Sequence, residues 1–255
     1  MKVEMTQGKP SLLPVIGGRF QIQAEIASGD MSTVYFAEDI QSGEEVAVKT
    51  FRSQHPDELR REMFKRETSA LDLLHHDNII RLITYGWSDD FGPGDSGLAY
   101  LVTEFQPNNL FRYLQDQAPK SDKSWCWPMV RDLCAALAHA HSYGVVHRDI
   151  KPSNILIGDQ DLLHAYLSDF AISKIKGELA VGMTVRQYAS PGYASPEQRN
   201  GGKVDERSDI YSLGMVIYEI LSGQPPPLEG PTKQAISGVA PNRAVESLLH
   251  RMSEP

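Results

Sequence analysis

Residues 146–157 of the 255-residue chain read VHRDIKPSNILI, and they are the most informative stretch of its sequence. Polar and charged residues are enclosed there between apolar anchors. Pro152 fixes one backbone dihedral and restricts Lys151 to extended geometry, so we predict a stiff loop that leads into a short buried strand. A carboxylate at Asp149 can accept a hydroxyl proton, and an amide at Asn154 can hold a divalent cation.

The spacing of these residues is more specific than any one of them. The three residues HRD alone would fit a capped turn with solvated charges. The full pattern HRDxKxxN closely resembles the catalytic loop of the Ser/Thr protein kinases. This resemblance implies an α+β, two-lobed protein-kinase fold. The expected parts are a flexible leader (residues 1–18), a small β-rich N-lobe (residues 19–105) and a mainly helical C-lobe (residues 106–255).

Composition and charge exclude several other classes of protein. The chain has 41% hydrophobic and 23% charged residues, as ordinary globular proteins do. Its net charge of -8 argues against nucleic-acid binding, since such proteins are usually basic. No apolar run approaches the ~20 residues of a membrane helix, and residues 1–18 lack a signal-peptide core. Cys126 and Cys134 lack CxxC spacing and are expected to stay reduced, which predicts a cytoplasmic location.

A loop with a single glycine is the candidate phosphate loop. Residues 26–34 read IASGDMSTV, and they resemble the kinase pattern GxGxxGxV only in part. Gly29 is present, whereas Ala27 and Ser32 replace the other two glycines. An ordinary hairpin loop is the alternative, and the position of the loop ahead of a lysine-bearing strand favours the phosphate loop.

That strand carries Ala47 and Lys49 two residues apart, so both side chains lie on one face. The resemblance implies that Ala47 contacts adenine and that Lys49 binds the ATP phosphates. The alternative for Lys49 is a snorkelling lysine at a strand edge. The other ATP-binding residues implied by the resemblance are Ile26, Gly29, Val34 and Leu156 around the nucleotide, with Glu104 and Gln106 in the hinge, where recognition is by backbone groups.

A helix is predicted over residues 56–75, with acidic residues near its start. Glu62 and Glu67 are both candidates to pair with Lys49. The spacing to the following HDNII favours Glu67, as in the αC helix of kinases. The alternative for each is a solvated carboxylate on the helix surface.

Residues 167–171 read LSDFA and resemble the kinase DFG motif, with Ala171 in place of its glycine. The resemblance implies that Asp169 and Asn154 bind Mg²⁺ (or Mn²⁺) and that Phe170 fills the core beside them. An acidic turn after a strand is the alternative. The distance of fifteen residues from Asn154 to Asp169 favours the metal site.

Residues 172–193 correspond to the activation segment of the kinases. Thr184 and Ser190 are its best candidates for phosphorylation, and the resemblance implies autophosphorylation there. Arg148, which precedes the catalytic aspartate, is expected to pair with such a phosphate and so order the segment.

The sequence YASPEQ at residues 193–198 resembles the end of this segment. Its SPEQ variant is typical of the bacterial eukaryote-like (Hanks-type) kinases, so the chain is similar to these members of the family. Residues 209–214 read DIYSLG and open an apolar helix that resembles the kinase αF helix. The resemblance implies that Asp209 braces the backbone of the catalytic loop, and a helix N-cap is the alternative. Glu197 is expected to be a structural residue.

The kinase C-lobe extends past the position of residue 255 to an arginine that pairs with the glutamate at the position of Glu197. We therefore expect a C-lobe truncated at its C-terminal end, with Glu197 unpaired, as part of a longer protein. In many bacterial relatives a linker, a membrane helix or a sensor region follows, so this chain is expected to be cytoplasmic even if the longer protein is membrane-anchored.

The ordered set of motifs implies transfer of the γ-phosphoryl group of ATP to Ser or Thr hydroxyls of protein substrates. Asp149 would take the hydroxyl proton and Lys151 would stabilise the transferring phosphate. The chain itself and a phosphothreonine-reading protein are the other expected partners. One alternative is a pseudokinase, a nucleotide-binding scaffold without turnover, given Ala27, Ser32 and Ala171. The other is a small-molecule phosphotransferase, against which the SPEQ motif argues.

Overall fold

The computed structural model describes most of the chain in nine stretches. They are residues 14–29, 32–51, 57–88, 98–116, 118–119, 121–158, 163–170, 174–175 and 191–253. The chain divides into two compact units, one of residues 1–64 and 83–105 and the other of residues 65–82 and 106–255. The chain passes into the second unit after residue 105, as the predicted lobes do, but residues 65–82 also group with that unit.

A six-stranded sheet in the order β1-β2-β3-β4-β6-β5 forms the first unit. Its strands are β1 Val15–Ile16, β2 Phe20–Ser28, β3 Ser32–Asp39, β4 Glu45–Phe51, β5 Leu82–Ser88 and β6 Leu98–Glu104. The strands β2, β3, β4 and β6 pair antiparallel with their neighbours. Alternate residues of these strands, among them Ile22, Val46, Val48 and Val102, form a buried core on one face of the sheet.

The last residues of the predicted leader belong to this sheet. Val15 and Ile16 pair antiparallel with Gln21 and Phe20, and Ile16 is fully buried. The prediction of flexibility was wrong for these residues, because burial of Ile16 in the apolar core anchors the chain there. A strand of two residues is too short to show a period of two in the sequence. Residues 1–13 lie outside the described part of the chain.

Helices dominate the second unit. They are α1 Asp57–Leu73, which begins in the first unit, α2 Leu110–Asp116, α3 Cys126–Ser142, α4 Pro196–Asn200, α5 Glu206–Ser222, α6 Lys233–Val239 and α7 Arg243–Ser253. Short strands flank the functional loops: β7 Asn108–Asn109, β8 Val145–Val146, β9 Ile155–Ile157, β10 Ala165–Leu167 and β11 Lys174–Ile175. The strands β9 and β10 form a hairpin, and β7 extends it. The apolar faces of α3, α5 and α7 meet in one large core.

The helix boundaries follow local capping chemistry. The helix α3 ends at Ser142, and Gly144, with φ of 72°, lies two residues after that end. The side chain of Asp205 caps the start of α5, so Asp209 is not the N-cap of that helix.

Both cysteines are free. Among the described residues, no helix has the length and apolarity needed to cross a membrane.

The two edges of the sheet approach one another around Tyr100. The backbone N–H of Gly17, in the β1–β2 turn, donates a 3.3 Å hydrogen bond to Oγ of Ser88 at the end of β5. The Tyr100 side chain lies against the backbone of Gly17 and of Gly86, and a Cβ atom at position 86 would lie 2.9 Å from its hydroxyl oxygen. Glycine at position 86 is therefore a packing requirement.

We predict that Gly86→Ala lowers the free energy of unfolding by about 1–3 kcal/mol, because the added methyl group overpacks this contact. Tyr100→Phe in the same chain should recover part of the loss by removing the hydroxyl oxygen. Chemical denaturation measures both. Gly238→Ala is the matched control, since a Cβ atom there meets nothing within 4 Å. Equal effects of the two glycine substitutions would contradict the packing argument.

An ion pair between Arg19 and the buried carboxylate of Asp39 connects the β3–β4 turn to the start of β2. Asp39 is 1% exposed, and its carboxylate accepts hydrogen bonds of 2.9 and 2.6 Å from Nε and Nη2 of Arg19. It also accepts one of 3.0 Å from the backbone N–H of Gln41. The hydrogen bond from Arg19 is the main cause that holds the pKa of Asp39 well below its usual range, against the opposing effect of burial.

We predict a pH-dependent contribution of this pair to stability. Because the pKa of Asp39 is lowered by folding, the contribution is fully present above its ordinary value near 4 and is lost as the pH falls below it. Asp39→Asn should cost about 1–3 kcal/mol at pH 7 and less at pH 3, where the contribution is partly lost. Urea unfolding at the two pH values measures this. Asp116→Asn, an exposed carboxylate on α2, is the control and should show no such difference.

Candidate active site

The backbone of the loop at residues 146–154 is held by one carboxylate. Asp209, on α5, is fully buried. Its Oδ2 accepts hydrogen bonds from the backbone N–H of His147 at 2.9 Å and from Nε2 of His141 at 2.8 Å. Its Oδ1 accepts one of 2.8 Å from the backbone N–H of Arg148. Asp209 therefore fixes two consecutive peptide units immediately before Asp149.

The polar side chains of this loop converge on Asp149. Its Oδ2 lies 2.8 Å from Nζ of Lys151 and accepts a 3.0 Å hydrogen bond from Nδ2 of Asn154. The same amide nitrogen donates to the Asp149 carbonyl oxygen at 2.9 Å. A 3₁₀ turn, Pro152–Asn154, brings Asn154 back toward Asp149. The structure thus brings together three of the residues predicted for catalysis and metal binding.

His147 connects this loop to the residues after β10. Its Nδ1 accepts a hydrogen bond from the backbone N–H of Asp149 at 3.2 Å. Its Nε2 therefore carries the proton and donates to the carbonyl oxygen of Ser168 at 2.9 Å. The ring packs against Phe170, with centroids 4.5 Å apart, and Phe170 is fully buried. The predicted role of Phe170 as a core residue agrees with this position.

Two residues of the site have left-handed backbone conformations. Arg148 has φ of 72° and Asp169 has φ of 65°. Residues other than glycine rarely adopt such values, and the strain is tolerated where the surroundings determine the conformation. The hydrogen bond from the backbone N–H of Arg148 to Asp209 holds Arg148 in this conformation.

The Arg148 side chain is a buried cation. The residue is 5% exposed, and among the described residues its Nε has no hydrogen-bond partner. Burial, with a further contribution from the nearby charge of Arg66, lowers the pKa of Arg148 to about 10. A second buried guanidinium group, that of Arg66, and the buried carboxylate of Asp209 therefore both act on the charge of Arg148.

Asn154 and Asp169 present oxygen atoms suited to a hard divalent cation. Both hydrogen bonds from the Asn154 amide nitrogen go to Asp149, and its oxygen accepts only a long 3.4 Å hydrogen bond from the Ser153 hydroxyl, so this oxygen is suited to act as a ligand. Ser168 donates two hydrogen bonds to the Asn154 carbonyl oxygen, one of 3.0 Å from its backbone N–H and one of 2.9 Å from its hydroxyl. Asp169 is the next residue in the chain, so its backbone lies close to that of Asn154. An amide oxygen and a carboxylate fit Mg²⁺, which takes few protein ligands and completes its shell with phosphates and water.

In the first unit, the predicted nucleotide-binding residues share one face of the sheet. Val34 is paired with Lys49 between β3 and β4, and Ala47 is paired with Thr103 between β4 and β6. Directly paired residues, and residues two apart on a strand, point to the same side. Lys49 is 8% exposed, so its charged group lies close to other protein atoms. Ile26 lies half-buried on β2.

The glycine-containing loop is closed by its own backbone. Gly29 donates a 2.9 Å hydrogen bond to the carbonyl oxygen of Ser32 across the two intervening residues, which lie outside the described part. Ala27 is exposed on β2 and Ser32 begins β3. The loop is thus a short hairpin connection, and its departures from three glycines do not prevent it from forming.

The remaining predicted ATP contacts are dispersed over several elements. Glu104 ends β6, and Leu156 is half-buried on β9. The Gln106 side chain lies against Gly158, which directly follows β9.

Glu67 is 2% exposed, whereas Glu62 is half-buried. The deeper burial of Glu67 makes it the stronger candidate for an ion pair, because a buried carboxylate requires a partner.

The region after the activation segment is tied to the helices. Thr184, Ser190 and Ala171 lie outside the described residues. Tyr193 donates a 2.6 Å hydrogen bond from its hydroxyl to Glu219 on α5. Burial raises the pKa of Glu219, and burial together with Glu219 raises the pKa of Tyr193. Tyr193, the last residue of the predicted activation segment, is therefore protonated and held against α5.

Glu197 has partners, so the expectation of an unpaired carboxylate was wrong. Its carboxylate accepts a hydrogen bond from the hydroxyl of Ser208. Burial acts to raise the pKa of Glu197, but hydrogen bonds from Ser208 and Ser195 outweigh this effect, and the pKa lies below its ordinary value. The Ser208 hydroxyl on the next helix and the Ser195 hydroxyl at the N-cap of α4 thus satisfy the carboxylate locally.

Sequence reasoning missed three residues that hold the site. His141 binds Asp209, His147 binds Ser168, and Gln198 donates a 2.8 Å hydrogen bond to the carbonyl oxygen of Arg148. The Ser-x-x-Gln spacing at residues 195–198 does signal a helix start. Nothing in the spacing signals the contact with the loop, because that contact joins residues 50 positions apart.

Comparisons with known proteins agree with this geometry. A family model described as a protein kinase domain matches residues 20–248. The chain is 36% identical to the serine/threonine-protein kinase PrkC of Bacillus subtilis (strain 168), over 83% of this chain and 31% of that protein. It is 35% identical to the serine/threonine-protein kinase pkn2 of Myxococcus xanthus, over 85% of this chain and 26% of that protein. It is 34% identical to PknB of Mycobacterium leprae (strain TN), over 84% of this chain and 34% of that protein.

The chain spans about a third of the length of these curated relatives. The family match, in contrast, covers nearly all of the described sheet and helices. The predicted protein-kinase fold and the predicted similarity to bacterial Ser/Thr kinases are therefore confirmed, and the chain belongs to the protein kinase domain family.

Proposed function

We propose that this domain is a serine/threonine protein kinase, which transfers the γ-phosphoryl group of ATP to Ser or Thr hydroxyls of proteins. The observation that carries the proposal is the arrangement at Asp149. One of its carboxylate oxygens binds Lys151 and Asn154, and Asp209 fixes the preceding backbone. Such fixed orientation is what phosphoryl transfer requires of a protein, since its catalysis is mostly positioning and electrostatic stabilisation.

In this mechanism Asp149 orients the acceptor hydroxyl and takes its proton. Among the described residues only its Oδ2 is hydrogen-bonded, which leaves Oδ1 for the hydroxyl group. Lys151, 2.8 Å from Oδ2, supplies positive charge beside the attacking oxygen. This cation stabilises the transferring phosphate more than the substrate hydroxyl, so it acts on the transition state. Lysine at this position, two residues after the aspartate, favours Ser/Thr acceptors over Tyr.

Asn154 and Asp169 are the residues that would hold Mg²⁺, and the same oxygen ligands suit Mn²⁺. The ion, when bound, neutralises the charge that develops on the phosphates. Lys49 would bind the α- and β-phosphates, with Glu67 as its orienting carboxylate. The adenine contacts would come from Val34, Ala47 and Leu156, with Ile26 and Gly29 near the phosphates and backbone groups of Glu104 and Gln106 in the hinge.

Protein substrates and the chain itself are the proposed partners, and a phosphothreonine-reading protein would follow the phosphorylated product. ATP as phosphate donor places the domain in the cytoplasm. In a longer, membrane-anchored protein it would be the cytoplasmic domain. The names of the relatives, all serine/threonine-protein kinases, support the acceptor class.

We predict Mg²⁺-dependent transfer of label from ATP to the chain and to a generic Ser/Thr protein. Asp149→Asn and Asp169→Asn should each lower the rate by about 10²–10⁴-fold, since one removes the proton acceptor and the other a metal ligand. Asp116→Asn is the matched control and should keep the wild-type rate. Bound ATP without transfer would identify the pseudokinase alternative, and transfer only to small molecules would identify the other phosphotransferase class.

We further predict autophosphorylation on Thr184 or Ser190. The buried guanidinium group of Arg148, whose Nε has no hydrogen-bond partner among the described residues, suits a phosphate dianion. Mass spectrometry of the wild-type chain, with Asp149→Asn as the inactive reference, maps the sites. Phosphate found only outside residues 172–193 would overturn this prediction.

A further inference from the structure

We propose that Gln198 is a positioning residue for Asp149, through a hydrogen bond between its side-chain amide and the carbonyl oxygen of Arg148. This inference deepens the proposed kinase function and rests on it for its activity readout. Neither the resemblance nor the comparisons assign a role to this glutamine.

The orientation of the Gln198 amide is determined by its two partners. Its Oε1 accepts a 3.0 Å hydrogen bond from the backbone N–H of Ser195, and its Nε2 donates a 2.8 Å hydrogen bond to the carbonyl oxygen of Arg148. The first partner is a donor and the second an acceptor, so the oxygen and nitrogen cannot be exchanged. Gln198 is 1% exposed, so water does not compete for either bond.

Together with Asp209, this amide holds both ends of one residue. Oδ1 of Asp209 accepts from the N–H of Arg148 at 2.8 Å, and Gln198 donates to the carbonyl oxygen of Arg148 at 2.8 Å. Arg148 has the strained φ of 72° and directly precedes Asp149. The Gln198 bond holds the carbonyl end of the peptide unit between Arg148 and Asp149, and the N–H end of that unit donates to His147. Loss of the Gln198 bond would leave this peptide unit held at one end only, and the carboxylate of Asp149 would shift with it.

The contact also links two functional segments. Gln198 lies in α4, directly after Tyr193, Ala194 and Ser195, where the predicted activation segment ends. Its capping hydrogen bond fixes the backbone of that ending, and its second bond fixes the catalytic loop. One amide group thus couples the position of the segment end to the position of Asp149.

Gln198→Glu has nearly the same shape, and it is designed to keep the hydrogen bond from Ser195 while removing the one to Arg148. A glutamate can still accept from the Ser195 N–H, as in a common helix cap, but in its ionised form it has no proton to donate to the Arg148 carbonyl oxygen. The assays are therefore repeated at raised pH, where the ionised form is favoured. We expect kcat to fall about tenfold, with the KM for ATP changed less than twofold, because the defect lies in orientation of Asp149. Gln198→Met, which removes both bonds, should lower kcat at least as much.

Ser195→Ala is the matched control. It removes the hydroxyl that accepts from the Gln198 N–H at 3.4 Å and donates to Glu197, and so weakens the start of α4, but it keeps the bond to Arg148. We expect kcat within twofold of wild type. Equal losses of kcat in Ser195→Ala and Gln198→Glu, or a wild-type kcat in Gln198→Glu, would overturn the proposal.

Amide hydrogen exchange of the catalytic loop gives a readout that needs no activity. Gln198→Glu should speed exchange of the Arg148 and Asp149 amides, whereas Ser195→Ala should not. Unchanged exchange in Gln198→Glu would overturn the positioning role. A wild-type chain without phosphate transfer would contradict the proposed function alone, and the exchange result would still decide whether Gln198 fixes the loop.

Discussion

The carboxylate of Asp209 is fully buried and accepts three hydrogen bonds, two from the backbone of the catalytic loop and one from His141. A buried charge is costly unless hydrogen bonds replace its lost hydration. The loop supplies those bonds only when its N–H groups converge on one point. The need to satisfy one carboxylate therefore selects one loop conformation, and the core around α5 fixes where that point lies.

Other features of the site follow from this conformation. With the backbone of His147 and Arg148 held, the His147 ring can accept from Asp149 and donate to Ser168 at the same time. The Ser168 hydroxyl and N–H then bind the Asn154 carbonyl oxygen. The segments that carry the proposed proton acceptor and the proposed metal ligands are thereby joined by neutral hydrogen bonds, which salt does not screen. Polar contacts hold these segments together, and apolar packing of Phe170 against the His147 ring adds to them.

Much of this arrangement was predictable, because its motifs are local in sequence. The loop around Asp149, the strand of Lys49 and the apolar helix after Asp209 each show their residues within a few positions. The errors concern features whose cause is distant. Ile16 is ordered by burial in a core assembled from other strands, and Glu197 is satisfied by a serine eleven residues later. The contact of Gln198 with Arg148 depends on packing of α4 against the loop, which no sequence period reveals.

The position of Tyr100 between Gly17 and Gly86 has a consequence for how this domain can vary among homologues. Three residues far apart in the chain occupy one shared volume, so they cannot change independently. A homologue with a larger residue at either glycine position should carry a smaller side chain in place of the tyrosine. Aligned sequences would then show these three positions changing together, although none of them belongs to the catalytic machinery.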